Sequence, residues 1–410
     1  MNMNKFIPFF ADFQLFADLN TNTTTQTGEG QEILSTEMKT YYDKNIIRNA
    51  EPFLVHDQFA QKRQIPKNSG KKIEFRKLNP FPKALTPLSE GVTPNGRKLD
   101  WTKVESTVSQ YGDYVTTSDV LNLTALDNNI IEAGRILGEQ AGRTLDTVTR
   151  EVLSSGTNVQ YADGTKLARH KLESTDVLTV MAIKKAVNTL KKNNAGTING
   201  GYFAIIHPNT AYDLTNDSAW KSVKEYDPKD LYNGEIGSLY GCRFIESSEA
   251  KVFSAEKLSK ESAQLSLKAA SAGATSVEYK TEVSAQAAGE LVNKSVIIDG
   301  ELYKITDATT TAATITPALT SDIEADCVMY GAGGGIDGCD IYSTIVFGAD
   351  AYGVTDVEGG GLETIIKALG SAGTADPLNQ RSTVGWKALK TAEILTDAFM
   401  VRIETASSQK

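Results

Sequence analysis

The stretch LTPLSEGVTPNGRKLDW, Leu85 to Trp101, holds two prolines, two glycines and an Asn-Gly pair, with strand-like sequence on both sides of it. Before it, Ile73 and Phe75 alternate with Lys72, Glu74 and Arg76; after it, Val104 and Val108 share one parity and Lys103 and Glu105 the other. A period of two marks strands with one covered face, so the two halves predict a long hairpin. Four of the eleven prolines, Pro80, Pro82, Pro87 and Pro94, lie between these strands. Proline has no N–H to give to a sheet ladder, so such a segment suits edges and turns and not a central sheet. The tip has almost nothing apolar from which to build a core of its own.

The charge of this region opposes that of the chain. Between Gln61 and Lys103 there are eleven Lys or Arg (Lys62, Arg63, Lys67, Lys71, Lys72, Arg76, Lys77, Lys83, Arg97, Lys98 and Lys103) against Glu74, Glu90 and Asp100. That local excess of eight positive charges, in a chain of formal charge -9, leaves seventeen net negative charges on the remainder. An acidic whole argues against a surface built throughout to grip nucleic acid or anionic lipid. Charge alone leaves two readings of the hairpin open: a basic arm complementary to the acidic body of a neighbouring copy, or a solvated loop whose edge lysines prevent aggregation. A nucleic-acid-binding ribbon is weakened by the few aromatics available for base stacking, Phe75, Phe81 and Trp101.

Outward from the hairpin, DNNIIEAGRILGEQAGRTLDTVTREVLSS places Ile130, Leu137, Ala141, Leu145, Val148 and Val152 three, four or seven residues apart, which predicts a long amphipathic helix. Asp127 or Asn128 is its candidate cap, and Gly156 follows its end. A second helix is expected over Val177 to Asn193, then a buried strand at YFAIIHP, a short helix at Ala211 to Ser218, and a turn and strand in GEIGSLYGCRFIESS. From Phe253 the composition turns Ala/Ser/Lys-rich, and SVIIDGELYKITDATTTAATITPALTSDI then shows short β-branched runs divided by turns, an inserted β module. GAGGG, Gly331 to Gly335, reads as its return hinge. YSTIVFGADAYGV is a further buried-strand candidate, and in the C-terminal extended segments Phe399, Val401 and Ile403 alternate with Met400, Arg402 and Glu404. At the other end, FIPFFADFQLFA has only Lys5 before it and no small-residue cleavage site, so it is not read as a secretory signal; a polar arm and a helix over Glu32 to Asn49 follow.

Length and composition, 410 residues with 40% hydrophobic content, suit a soluble chain of roughly two or three compact units. Catalytic equipment is thin. His56, His170 and His207 stand apart from one another and from cysteine, and His207, before Pro208, suits a turn. Cys242, Cys327 and Cys339 lack paired spacing and are expected as free thiols. Asp18, Asn20, Asn22 and Glu29 imitate calcium-loop spacing, but Thr23 replaces the required glycine. GGGIDG, Gly333 to Gly338, matches a dinucleotide fingerprint in form only, because β-branched sequence and not a helix follows it. No catalytic residue, cofactor or metal is assigned, and no run is long and apolar enough to span a bilayer.

The order of these parts resembles the major capsid proteins of tailed bacteriophages with the Hong Kong 97 fold. The resemblance runs through the polar arm, PKALTPLSEG, YGDYVTTSD, the long helix, VLTVMAIKKAVNTLKK, YFAIIHPNTAYDL, GSLYGCRFIESSEA and VGWKALKTAEILTDAFMVRIE. FQLFADLNTNTTT beside PLSEGVTP is similar to the podovirus-type branch. It implies an α+β subunit: an N-terminal arm and first helix (1–58), an E-loop hairpin (59–115), a peripheral domain with a spine helix (116–175), an axial domain (176–253 and 333–357), a β-rich insertion domain (254–332) and peripheral C-terminal strands (358–410). It further implies a non-enzymatic protein assembling in the host cytoplasm as hexamers and pentamers into the virion's icosahedral head shell, around double-stranded DNA bound without sequence specificity. Portal and scaffolding or decoration proteins would be further partners, with no membrane. A long two-stranded ribbon is marginal in water, so under this reading the hairpin takes its order from an adjacent subunit, with Lys77, Lys83, Glu90, Arg97, Lys98 and Trp101 as candidate contacts. Some relatives cross-link subunits through Lys and Asn; no such pair is identifiable. The alternatives are a bacterial surface or adhesion protein, suggested by Thr-rich DATTTAATITPALT, and a hydrolase, for which no constellation speaks.

Overall fold

The computed structural model describes residues 54–409 apart from 67, 69, 80, 89, 92, 94, 125–128, 221–234, 261–262, 358–360 and 372–375. The expected arm, the helix over Glu32 to Asn49, the calcium-like spacing and the capping residues Asp127 and Asn128 lie outside the described residues.

The elements in chain order begin with β1 (Gln61–Ile65), β2 (Lys72–Leu78), β3 (Trp101–Thr107), β4 (Ser109–Ser118), α1 (Asp119–Thr124) and α2 (Asn129–Ser154). Next come β5 (Val159–Tyr161), α3 (Val180–Lys192), β6 (Tyr202–Ile206), α4 (Pro208–Asn216), β7 (Glu235–Leu239), β8 (Cys242–Glu246) and β9 (Val252–Phe253). Then follow β10 (Gln264–Ser266), β11 (Ser276–Glu278), α5 (Ala285–Leu291), β12 (Ser295–Ile298), β13 (Glu301–Ala308), β14 (Ala312–Thr316) and β15 (Val328–Gly331). The chain ends with β16 (Ile341–Phe347), β17 (Tyr352–Val357), β18 (Glu363–Lys367), β19 (Arg381–Ile394) and β20 (Met400–Thr405).

These elements form two compact units. The smaller gathers Gln110–Gly142 with Gly360–Leu389. In it the first part of β19 pairs antiparallel with β18, from Glu363↔Lys387 to Lys367↔Thr383, and β4 also pairs with β19. Gln140, on α2, ties this unit together: its amide donates to Asp113 Oδ2 of β4 at 2.7 Å and its oxygen accepts from Trp386 Nε1 of β19 at 3.3 Å.

The larger unit is built on a seven-stranded sheet in the order β5-β20-β16-β6-β8-β7, with β9 also on β16. Its central strands read as unbroken apolar runs because both faces are covered. Ala204, Ile206, Val346, Val401 and Ile403 face α3, which contributes Val180, Ile183, Val187 and Leu190. Phe203, Ile205, Ile345, Phe347 and Met400 point the other way, onto Leu153 of α2 and Tyr352 of β17. Thr179 caps α3, its side chain accepting from Ala182 N at 3.2 Å. α4 starts earlier than expected, at Pro208, because proline suits a first helical turn and His207 caps it, Nδ1 accepting from Asn209 N at 3.1 Å. GEIGSLYGCRFIESS makes two strands and not one, the antiparallel pair β7–β8 turning at Tyr240 and Gly241.

The alternation expected at the C-terminus has a different meaning in the folded chain: all six residues of β20 are buried, Arg402 and Glu404 included. Glu404 is compensated by Arg169, whose Nε and Nη2 each donate at 2.7 Å, and by the charge of Arg402, whose Nε lies 2.8 Å away without forming a hydrogen bond. Burying these charges is tolerable because each meets its opposite within hydrogen-bond distance.

Strands β10 to β15 form a six-stranded sheet, β10-β15-β12-β13-β14-β11, around its own core of Leu267, Leu291, Val296, Ile298, Tyr303, Ile305, Ile315 and Met329. The glycines of GAGGG serve close packing: a Cβ at Gly333 would stand 2.5 Å from the backbone oxygen of Ser254, and Gly333 has φ +117°. Strand β16 follows this run, so no helix opens from it to hold a dinucleotide.

Candidate functional site

β2 and β3 pair antiparallel over their full length, from Lys72↔Thr107 to Leu78↔Trp101. The register brings Phe75 opposite Val104, and both Phe75 and Ser106 are buried at the root. It also sets Arg76 directly opposite Lys103, a like-charge pair that would push the strands apart. Glu74 relieves this, its Oε2 lying 3.0 Å from Arg76 Nη2 and 3.8 Å from Lys103 Nζ. The Arg76 hydrogen bond, and then the Lys103 charge, hold the Glu74 carboxyl below its ordinary value against a weaker opposing effect of burial.

Beyond β2 the neck is closed by a clasp. Asn79 N donates to Asp100 O at 3.0 Å, Asn79 Nδ2 to Asp100 Oδ2 at 2.7 Å, and Thr102 Oγ1 to Asn79 Oδ1 at 2.9 Å. Asx side chains suit this position because they bond readily to nearby backbone and side chains. Past the clasp, every described residue from 81 to 100 is exposed.

The tip is less polar than its sequence first suggests. Leu78, Phe81, Leu85, Leu88, Leu99 and Trp101 are all exposed large hydrophobics, with Leu85 at 82% and Leu88 at 76%. Spaced without a period among prolines and charges, they give no amphipathic signal, and only the folded hairpin shows each of them exposed.

Lys77 is engaged within its own chain: Nζ donates to Thr396 Oγ1 at 2.8 Å and sits 4.7 Å from the Phe399 ring centroid. Trp101 is half exposed, at the first position of β3 across from Leu78. Lys83, Glu90, Arg97 and Lys98 stand exposed and make no ion pair among the described residues. Four charges and several large apolar side chains are therefore exposed beyond an anchored root. Among the described residues, no three His, Cys, Asp or Glu gather as a metal site, and no helix is long and apolar enough to cross a membrane. The cysteines are free, and burial pushes all three thiols up.

Over residues 34–311, more than half its length, the sequence matches the family model described as phage capsid protein. The chain belongs to that family. Among solved structures, the capsid protein resembles the capsid of cyanophage Pam1 with a TM-score of 0.55 at 12% identity, covering 87% of this chain and 94% of that one. It resembles the capsid of Ralstonia phage GP4 with a TM-score of 0.53 at 13% identity, covering 86% and 88%. At such identities the likeness is one of fold, the Hong Kong 97 type. No curated protein is similar in sequence. This is a major capsid protein of the tailed-phage head shell, a virion component built from repeated copies, and the surface-adhesion reading is not favoured.

Proposed function

We propose that copies of this capsid protein associate as hexamers and pentamers that close into an icosahedral shell around double-stranded DNA. The extended hairpin, as the E-loop, binds the neighbouring copy. The observation that carries this reading is the tip: an exposed apolar group carrying Lys83, Arg97 and Lys98, held on a clasped neck, in a chain whose remaining residues are acidic. Burying that group against a second copy removes apolar surface from water, and the cations steer the encounter toward an acidic surface.

In this reading Lys83, Glu90, Arg97, Lys98 and Trp101 meet the adjacent subunit, while Lys77 fixes the root against Thr396 and Phe399. The protein does no chemistry on a substrate. It assembles in the host cytoplasm, with portal and scaffolding or decoration proteins as its further partners, and holds DNA without reading sequence. Electron microscopy of the purified chain tests this: shells or capsomers are expected, and discrete monomers at high concentration across ionic strengths would overturn it.

A further inference from the structure

A deeply buried titratable cluster lies away from the hairpin tip and has no part in the assembly reading. His56 and Asp57 come from the segment just before β1, Asp146 and Thr149 from α2, Tyr352 from β17 and Lys390 from β19. His56, Asp146 and Thr149 are fully buried, and the side chains of Lys390 and Asp57 are 6% and 15% exposed. Asp146 is occupied by His56, whose backbone N and ring Nδ1 lie 2.8 and 2.7 Å from its two oxygens. Tyr352 OH donates to His56 O at 2.5 Å.

That leaves Lys390 and Asp57 facing each other. Lys390 Nζ donates to Asp57 Oδ2 and, at 2.8 Å, to Leu145 O. The other oxygen of the same carboxyl, Oδ1, accepts from Thr149 Oγ1 at 2.5 Å. An amine is thus held against a carboxyl carbon, with a hydroxyl donor already on the oxygen that would carry charge if the amine attacked. Burial draws the Lys390 ammonium below its ordinary value, against the opposing charges of Asp57 and Asp146 and with Lys62 assisting, which lowers the cost of passing its proton to Asp57.

We propose that Lys390 and Asp57 are joined within the chain by an amide bond. A proton passes from the ammonium to Asp57 Oδ2 along their hydrogen bond, giving neutral amine and carboxylic acid. The nitrogen lone pair attacks Cγ, the C–N bond forms, and Oδ1 takes the negative charge while Thr149 donates to it. The C–Oδ2 bond then breaks, and that oxygen leaves as water with the transferred proton and a second one from the attacking nitrogen. The remaining amide N–H keeps Leu145 O as its acceptor. Atoms and charge balance with no oxidant, reductant or co-reactant. Thr149 is the positioning group.

The test is the intact mass of the purified full-length chain under denaturing conditions, followed by peptide mapping. The expected result is a mass one water below that of the sequence, with a branched peptide joining the Asp57 and Lys390 fragments. K390R keeps the cation but cannot form the bond, and should show the full sequence mass. T149V should show a larger unlinked fraction in freshly purified protein. Wild-type chain at full sequence mass, or one that has lost water without yielding the branched peptide, overturns the proposal, and neither of these outcomes depends on a variant that folds.

Discussion

Phe75 of the hairpin root lies in the space that a side chain at Gly353 would need. A Cβ at Gly353 would stand 2.8 Å from Phe75 Cε1 and 2.9 Å from Cζ. The ring is buried and Arg63 lies over it at 5.4 Å, so it has little room to yield. G353A should therefore cost about 1–3 kcal/mol through overpacking, read as a lower denaturant midpoint. F75L shortens the opposing group, so the double variant should lose less than the sum of the two single losses. Additive losses would place the strain elsewhere.

The hairpin should loosen in acid. Glu74 sits below its ordinary 4.5 in the folded chain, so the stabilisation it supplies is fully present above that value and is lost as pH falls through the lowered one. Protection of the amides in 72–78 and 101–107 against hydrogen exchange, taken relative to the unstructured rate at each pH, should fall over that window. E74Q, which leaves Arg76 facing Lys103 without a carboxylate, should exchange faster at neutral pH and show no such acid step.

Charge reversal at the tip should separate assembly from folding. R97E combined with K98E should impair shell formation while monomer stability stays within about 1 kcal/mol, as for most exposed substitutions. Light scattering and thermal unfolding report the two quantities. Unchanged assembly, or a large loss of monomer stability, counts against the interface role.

The three thiols should be sluggish at neutral pH. Burial raises Cys242 most, to a value far above the usual thiol range, and burial also raises Cys327 and Cys339. Since the thiolate is the reacting species, iodoacetamide should modify the folded chain slowly, Cys242 last, and denaturant should expose all three to rapid alkylation. Mass spectrometry of timed samples checks the order.

Local pattern was enough for the hairpin, the long helix and α3, because each shows its period within a few residues. It fell short at β20: the alternation of Val401 and Ile403 with Arg402 and Glu404 carries no sign that all four are buried, which the ion pairs of Glu404 with both Arg169 and Arg402 explain. The candidate contacts divide in the same way. Arg97 and Lys98 could be named from a charge excess, whereas the inward engagement of Lys77 depends on Thr396 and Phe399, residues more than 300 positions away that no local reading connects to it.

Alternation, proline placement and charge therefore determined the existence of a basic hairpin, since these depend on neighbours in sequence, while the fold class followed from the family that the order of motifs resembles. Tertiary structure decided which charges are buried and paired, that the tip presents Leu85 and Leu88 to the outside, and that Lys390 meets Asp57. The physical reason is that burial and long-range pairing are properties of surfaces brought together by folding, and a period along the chain carries no record of what will cover it.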